Sequence, residues 1–496
     1  MRKHIPPFFL FGAALALIAC TGENKESGPP SGDPLEGIPK GKISVSCYDS
    51  LGYRNFLEDA AKLFMAAYPG TEVEAQSFSA MPEIRTSGEG DNMTVIVVQT
   101  EDDPRGRSDY INRVNTALMS GEGADIYAAD ILPFHTYAES GQLENLAVYM
   151  AGDPAWRDAD FRANIIEAAK FRGGLWFMPA DYGFNYFAYD TVLLPERGDF
   201  GEKSAFTVEA LADRAKPRFE GGAKIFNAYD YVPGSSRGPG DMFSQLLLEY
   251  YPSLVDLENK KANFNDGTFA KILDLVKEYA DAGYIPRSAA SGPGEPPPTA
   301  PLAAPAAARE TDRYFFKLNN NFSLAAQFQR GSGRRLTLRS AGSGGGITDD
   351  DAIAGIRANR DGGVPFHFSR AFGINRNSKN KGTAWEFLKF LLSDEVQGSL
   401  PPADLPLNNR AREEKAARLL SGPSLGREPD ERMREAAGRY NAAVEALSDQ
   451  INRYVPQDTV INDMIASEAA YFFRGTRTAR ETAAVLQNRV NLYLHE

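Results

Sequence analysis

The stretch Met119-Ser120-Gly121-Glu122-Gly123-Ala124-Asp125-Ile126-Tyr127-Ala128 decides the fold. A helical pattern near Tyr110–Met119 breaks at Gly121 and Gly123, and Ala124–Ala128 then runs on as a short apolar strand. Upstream, Ile43-Ser44-Val45-Ser46-Cys47 alternates as a first strand. Tyr53–Tyr68 sets Phe56, Leu57, Ala60, Leu63, Phe64 and Ala67 on one helical face, and Pro69-Gly70 ends it. A strand near Glu72–Phe78 follows. Thr94–Val98, apolar at nearly every position, then predicts a strand buried on both faces of a helix-covered sheet. This β-α-β-α-β alternation predicts an α/β lobe with a mainly parallel sheet flanked by helices.

Downstream, a second lobe is expected after about Asp181. Leu175–Tyr189 is strand-like and aromatic-rich, with helical segments near Val208–Ala215, Met242–Tyr250 and Phe269–Ala282. Pro286–Ala308 holds seven Pro and eight Ala, which reads as a surface insertion without regular structure, and Gly331–Gly346 reads as a loose loop. Lys381–Leu392 groups Ala384, Trp385, Leu388, Leu391 and Leu392 on one helical side, so Trp385 is expected in a core. Thr478-Ala479-Arg480-Glu481 is a capping box that opens a last helix with Ala483, Leu486, Val490 and Leu494 on its face.

The chain has 496 residues, enough for two or more domains, and 43% are hydrophobic, which excludes a disordered or fibrous protein. The net charge of −12, with no basic stripe, argues against a nucleic-acid partner. With two cysteines (Cys20, Cys47), four histidines and no HExxH, the sequence offers neither a disulfide framework nor a metal site, and no cofactor is expected. At the N-terminus, Arg2 and Lys3 precede an apolar run, Phe8–Ala19, that is shorter than the ~20 residues a membrane-spanning helix needs and fits a secretory signal. It ends Leu17-Ile18-Ala19-Cys20, which resembles the bacterial lipoprotein cleavage box. Residues 1–19 are thus expected to be a signal peptide and Cys20 a lipidated N-terminus holding the protein to the outer side of a membrane. Eight of the residues from Thr21 to Lys40 are Gly or Pro, which makes 20–40 a tether with a reach of roughly 25 Å.

Four ordered stretches carry a family resemblance. They are the first strand with Gly52-Tyr53 and its helix, and Met119–Tyr127 continuing through Asp130 to Tyr137-Ala138-Glu139-Ser140-Gly141-Gln142-Leu143. The third is Met178-Pro179 running into the strand that ends at Tyr189-Asp190, and the fourth is Phe372–Asn380 leading to Ala384–Leu391. With the lipoprotein box, the chain resembles a bacterial extracellular solute-binding protein, the lipid-anchored receptor of an ABC importer, of the mostly sugar-binding group. The resemblance implies a two-lobed periplasmic-binding-protein-like α/β fold with its ligand cleft at the hinge. Lobe 1 would be 41–178 with a return at 347–402. Lobe 2 would be 182–346, carrying the 286–308 insertion, with C-terminal helices at 403–496. It further implies a small-molecule solute, a carbohydrate, and ABC permease subunits as partners.

A sugar site needs carboxylates to accept hydroxyl hydrogen bonds and flat aromatic faces to stack on C–H patches. The carboxyl ends of parallel strands place Asp49 and Ser50 after the first strand, and Tyr127 with Asp130 at the end of 124–128. The resemblance ranks Asp130 first, and the competing reading is an N-cap for the next helix. In the crossing segment Asp181, Tyr182 and Asn185 are candidates, with hinge packing as the alternative. Tyr229, Asp230 and Tyr231, with Phe243 beyond, resemble the second lobe's ligand loop, against ordinary turn chemistry. Arg370 precedes the Phe372 motif, where a salt bridge is the other reading.

Gly422-Pro423-Ser424-Leu425-Gly426 matches GxSxG, but a nucleophile elbow needs a strand before it, and a charged helix-like stretch stands there. Cys47 reads as a buried strand thiol, and Asp349–Asp351 as a solvated acidic run. The leading function is therefore non-enzymatic: capture of a carbohydrate and delivery to a permease. A sensor lipoprotein of the same fold and a secreted polysaccharide hydrolase are the alternatives, and consumption of the ligand would single out the second.

Overall fold

The computed structural model describes residues 39–49, 53–78, 83–87, 94–98, 104–220, 222–231, 241–287, 313–320, 324, 350–400, 404–421 and 431–495. Two five-stranded sheets organise it. Their strands are, in chain order, β1 (Gly41–Tyr48), β2 (Thr71–Phe78), β3 (Ile126–Ala128), β4 (Met178–Pro179), β5 (Asn185–Asp190), β6 (Ala205–Phe206), β7 (Lys224–Phe226), β8 (Tyr314–Asn320), β9 (Asp351–Arg357) and β10 (Ala371–Ile374). The first sheet runs β2-β1-β3-β10-β4 and the second β7-β8-β5-β9-β6. β1 is parallel to β2, with Gly41 opposite Thr71, and to β3, with Val45 opposite Ile126. β10 is antiparallel to its neighbours, Phe372 facing Ala128 and Met178. In the second sheet β5 is antiparallel to both β8 and β9. In each sheet four of the five strands run the same way, as a mainly parallel sheet requires, and the strand arriving from the other lobe, β10 or β5, enters against the rest.

The helices used below are α1 (Tyr53–Ala67), α2 (Pro104–Ser120), α3 (Phe134–Glu139), α4 (Met242–Leu254), α5 (Thr268–Asp281), α6 (Lys381–Leu391), α7 (Glu431–Ser448), α8 (Thr459–Phe473) and α9 (Ala479–His495). α1 buries Tyr53, Leu57, Ala60, Ala61 and Phe64, while Leu63 is exposed, so its apolar stripe is rotated toward Tyr53 and Ala61 from the face read in the sequence. In the second lobe, Phe187, Phe226, Phe316, Leu246, Ile272 and Val276 form one core with Ile461, Ile465, Leu486 and Val490 of α8 and α9. The C-terminal helices thus belong to that lobe. The capping box is formed: Glu481 accepts the Thr478 backbone N–H at 2.9 Å, and Thr478 Oγ1 accepts that of Glu481 at 3.2 Å. Trp385 is fully buried, its Nε1 donating to Asp153 at 2.8 Å, and Cys47 is a buried thiol.

Two assignments change. Thr94–Val98 is not a central strand; it pairs antiparallel with Glu83–Ser87 in a separate hairpin. An apolar run signals a strand, not its place, and the positions beside β1 are held by β2 and β3. The 347–402 segment is not wholly a return to the first sheet, because β9 pairs with β5 and β6 and the return begins beyond it. Cys20, expected to be lipidated, the expected signal and most of the expected tether, Gly331–Gly346, most of the expected 286–308 insertion and Gly422–Gly426 lie outside the described residues.

Between the lobes the chain crosses repeatedly. Asp181–Tyr182 pairs with Leu405–Pro406, and Pro365–Phe366 with Arg453–Tyr454. α7 braces these crossings, where Arg162 pairs with Glu445 and, at 2.7 Å, with Asp449.

Candidate functional site

The carboxyl ends of β1 and β3 deliver Asp49 and Asp130 to one edge of the first sheet, each half-buried. The backbone N–H of Arg54 at the start of α1 donates to Asp49 Oδ1 at 3.3 Å. Asp130 does not cap α3: the N-cap position is Pro133, with no side-chain cap bond. Around these carboxylates stand Tyr48, Tyr53 and Tyr110. Tyr48 and Tyr110 ring centroids are 5.8 Å apart, Phe78 and Tyr110 5.3 Å, and the Tyr110 and Ser46 hydroxyls are 3.1 Å apart. Burial, then the Asp130 charge, holds the Tyr53 hydroxyl well above its ordinary range. Burial does the same to Tyr110, with Asp130 again contributing. Burial, with Asp49 and Asp130 adding to it, pushes the Cys47 thiol up to about 12, so it stays protonated and unreactive at neutral pH. Asp130 is thus within electrostatic reach of three groups on three elements.

The second part of the edge is a buried charge triad. Arg370 Nη1 lies 3.0 Å from Asp181 Oδ2 and 2.7 Å from Asp404 Oδ2, and Asp181 Oδ1 accepts the backbone N–H groups of Ser369 and Arg370 at 2.6 and 3.2 Å. Burial, then the Asp404 carboxylate, lifts Asp181 to about 6, against the pull of Arg370. The Arg370 guanidinium lies 5.1 Å from the Phe56 ring centroid and 5.9 Å from that of Tyr53, while its Nε is buried without a hydrogen-bond partner. Tyr53 also accepts the Ala371 N–H at 3.1 Å, which locks it between the two carboxylate groups. The structure therefore brings Asp49, Asp130, Asp181 and Arg370 to one aromatic-lined edge.

The other candidates are placed differently. Tyr127 turns its hydroxyl back to the Ala124 N–H at 3.1 Å, and its ring lines a small apolar pocket with Leu132, Phe134, Tyr137 and Trp176. Tyr182 is buried, its hydroxyl 3.3 Å from Ser448 of α7. Asn185 opens β5, the central strand of the second sheet, opposite Asn320 and half-buried. Tyr229 and Asp230 are buried in the segment after β7. Tyr231 stacks on Phe473 at 4.3 Å between centroids, and Phe243 sits in the second lobe's core. Ser50 lies outside the described residues.

α8 joins the two halves. Its Thr459 hydroxyl donates to the Ile131 carbonyl at 3.4 Å, its Asp463 faces Arg107 of α2 at 3.9 Å, and its Phe473 carries Tyr231. Asp458, just before α8, accepts the Val460 and Ile461 N–H groups and the Tyr493 hydroxyl, and stands 3.5 Å from His135 Nε2. Sequence reasoning did not single out Tyr53, Tyr110, Arg107, His135 or Asp458. The first two lie on apolar helix stripes, and the contacts of the other three come from residues hundreds of positions away. Such an edge can accept hydrogen bonds from hydroxyls and stack apolar ring faces. Among the described residues, no group of three or more His, Cys, Asp or Glu could hold a metal ion, and no helix is long and apolar enough to cross a membrane.

A sequence model of the family "bacterial extracellular solute-binding protein" matches residues 89–400. No functionally curated protein matches the chain in sequence. Among solved structures it is similar to a family 1 extracellular solute-binding protein of Alicyclobacillus acidocaldarius, at 16% identity and TM-score 0.55 over 93% of this chain and all of that one. It is similar as well to the sugar-binding protein MalE of Xanthomonas citri, at 14% identity and TM-score 0.55 over 92% and 97%. An ABC substrate-binding protein of Listeria monocytogenes in complex with cycloalternan matches at 16% identity and TM-score 0.53 over 92% and 99%. At such identities the likeness establishes the two-lobed fold.

Proposed function

Because the chain belongs to the bacterial extracellular solute-binding proteins, which are extracytoplasmic binding proteins rather than enzymes, we propose that it captures a carbohydrate between its lobes and delivers it to an ABC-type permease. The observation that supports this most is the edge where the half-buried Asp49 and Asp130 stand among Tyr48, Tyr53 and Tyr110, backed by the buried Asp181–Arg370 pair. Carboxylates set among aromatic faces match the alternating hydroxyl and C–H surfaces of a saccharide. The Listeria monocytogenes neighbour, solved in complex with cycloalternan, supports the same reading. Asp130 is the leading solute contact, since the helix it precedes takes its N-cap elsewhere. Asn185 and the Tyr229–Tyr231 segment are the second lobe's contribution. Lobe 1 is 41–178 with a return from Pro365 to 402, and lobe 2 is 182–357 with 403–496. Residues 1–19 are a signal peptide, 20–40 a tether, and lipid on Cys20 anchors the protein on the outer side of the membrane.

A thermal-shift panel of mono- and oligosaccharides, amino acids, polyamines and short peptides tests this. A ligand that binds only the folded state adds about 2.7 kcal/mol at a hundredfold excess over Kd. A saccharide is expected to raise the melting temperature and to be recovered intact. A shift by a peptide or polyamine alone overturns the carbohydrate assignment, and consumption of the saccharide overturns the receptor. For the anchor, Cys20→Ser is expected to move the protein out of the detergent phase; unchanged partitioning refutes lipidation.

A further inference from the structure

Two residues other than glycine hold a left-handed backbone among the described residues, Arg172 at φ 48° and Lys260 at φ 52°. Side chains rarely adopt that conformation, and it persists where surrounding contacts impose it. Arg172 lies in the tight turn Phe171–Gly174 of the first lobe, and Lys260 in the turn joining strands Val255–Asp256 and Lys261–Ala262 of the second. They are 88 positions apart, yet both cations converge on one carboxylate at the end of α3. Arg172 Nη2 is 3.2 Å from Glu139 Oε1, and Lys260 Nζ is 3.7 Å from Glu139 Oε2. Arg172 also reaches across the gap to donate to the Glu258 carbonyl. The same α3 meets the second lobe once more, where His135 faces Asp458 at the start of α8.

We propose that these two strained turns form a clasp, closed through Glu139, that holds the lobes together and sets how readily the protein opens to load and release its solute. The inference rests on the reading of the chain as a receptor that opens and closes, and it concerns residues outside the carboxylate–aromatic edge. On this reading, opening the lobes separates Lys260 from Glu139 and Arg172 from Glu258, so the contacts favour the arrangement in which the two turns meet. A device that acts on the two-state balance changes apparent affinity without touching the ligand.

The test needs no saccharide, so its failure is distinct from failure of the carbohydrate assignment. Small-angle X-ray scattering of the purified protein reports the fraction of open form. Lys260→Glu sets like charges against each other across the gap and is expected to raise the open-to-closed ratio about fivefold, with a larger radius of gyration. Adding Glu139→Gln is expected to relieve the repulsion and bring the profile back to that of Lys260→Met rather than to wild type, and 1 M salt to shrink the single variant's effect. Lys260→Met, which removes the charge without repulsion, is expected to shift the profile in the same direction by less, and it stands in if Lys260→Glu fails to fold by circular dichroism. A wild-type radius of gyration in Lys260→Glu, or in Lys260→Met where that stands in, overturns the clasp, as does a Lys260→Glu effect that Glu139→Gln leaves undiminished.

Discussion

Replacing Arg370 with Met keeps an unbranched stem against Phe56 and Tyr53 but removes the cation between Asp181 and Asp404. The side chain of Asp181 is 1% exposed and that of Arg370 6%, so water cannot take over the pairing. Asp181 cannot swing away either, because it accepts the Ser369 and Arg370 backbone N–H groups. Removing one partner of a buried ion pair costs ~3–5 kcal/mol, since the other charge stays buried uncompensated. With an unfolding entropy of about 2.1 cal/mol/K per residue, a chain of this size loses roughly 1 °C of melting temperature per kcal/mol, so a fall of ~3–5 °C is expected. The pH dependence follows from burial, which together with Asp404 already lifts Asp181 to about 6 in the wild type. Without Arg370 its folded-state value rises further, while the unfolded value stays near ~3.9. The penalty is then full above the folded value and fades as acidification neutralises the carboxyl, so the deficit shrinks from pH 8 to pH 5. Asp181→Asn in the Arg370→Met background is expected to recover part of the loss. Scanning calorimetry of the three proteins at both pH values decides it. A melting temperature for Arg370→Met within about 1 °C of wild type, or a deficit equal at both pH values, would refute the account of the triad as a buried hinge lock.

Three further outcomes are expected. Burial raises Glu249 to about 7 beside Arg357, so between pH 5 and 8 the folded state binds the proton more tightly than the unfolded one and stability falls as pH rises; Glu249→Gln should flatten that slope in urea titrations, and equal slopes would contradict it. Thr478→Ala removes the hydroxyl that accepts the Glu481 N–H and donates to the Glu481 carboxylate, leaving the Thr478 backbone N–H bond, and should cost ~1 kcal/mol by denaturant midpoint, with a value near zero counting against the box. Asp130→Ala should weaken saccharide binding in isothermal titration roughly tenfold or more, and a stability loss with intact binding would reverse its assigned role.

What the sequence determined by itself is local. The glycine break at Gly121–Gly123 before the strand, the Cys47 strand thiol, the buried face of α9, the Thr478–Glu481 box and the apolar side carrying Trp385 all depend on periodicity and spacing within one element, which neighbouring residues encode. The ordered motifs added the two-lobed fold. Tertiary structure decided what depends on partners distant in the chain. β9 joins the second sheet because β5 offers it an edge, whereas the more apolar Thr94–Val98 pairs, among the described residues, with Glu83–Ser87. Asp130 and Arg370 looked alike as polar residues flanking strands. Only packing shows that Arg370 is committed to Asp181, 189 positions away, and that Pro133 rather than Asp130 takes the N-cap position of α3. Arg172, Lys260 and Glu139 carry no motif at all; their meeting follows from two turns of opposite lobes closing on one helix end, a geometry that no local pattern specifies.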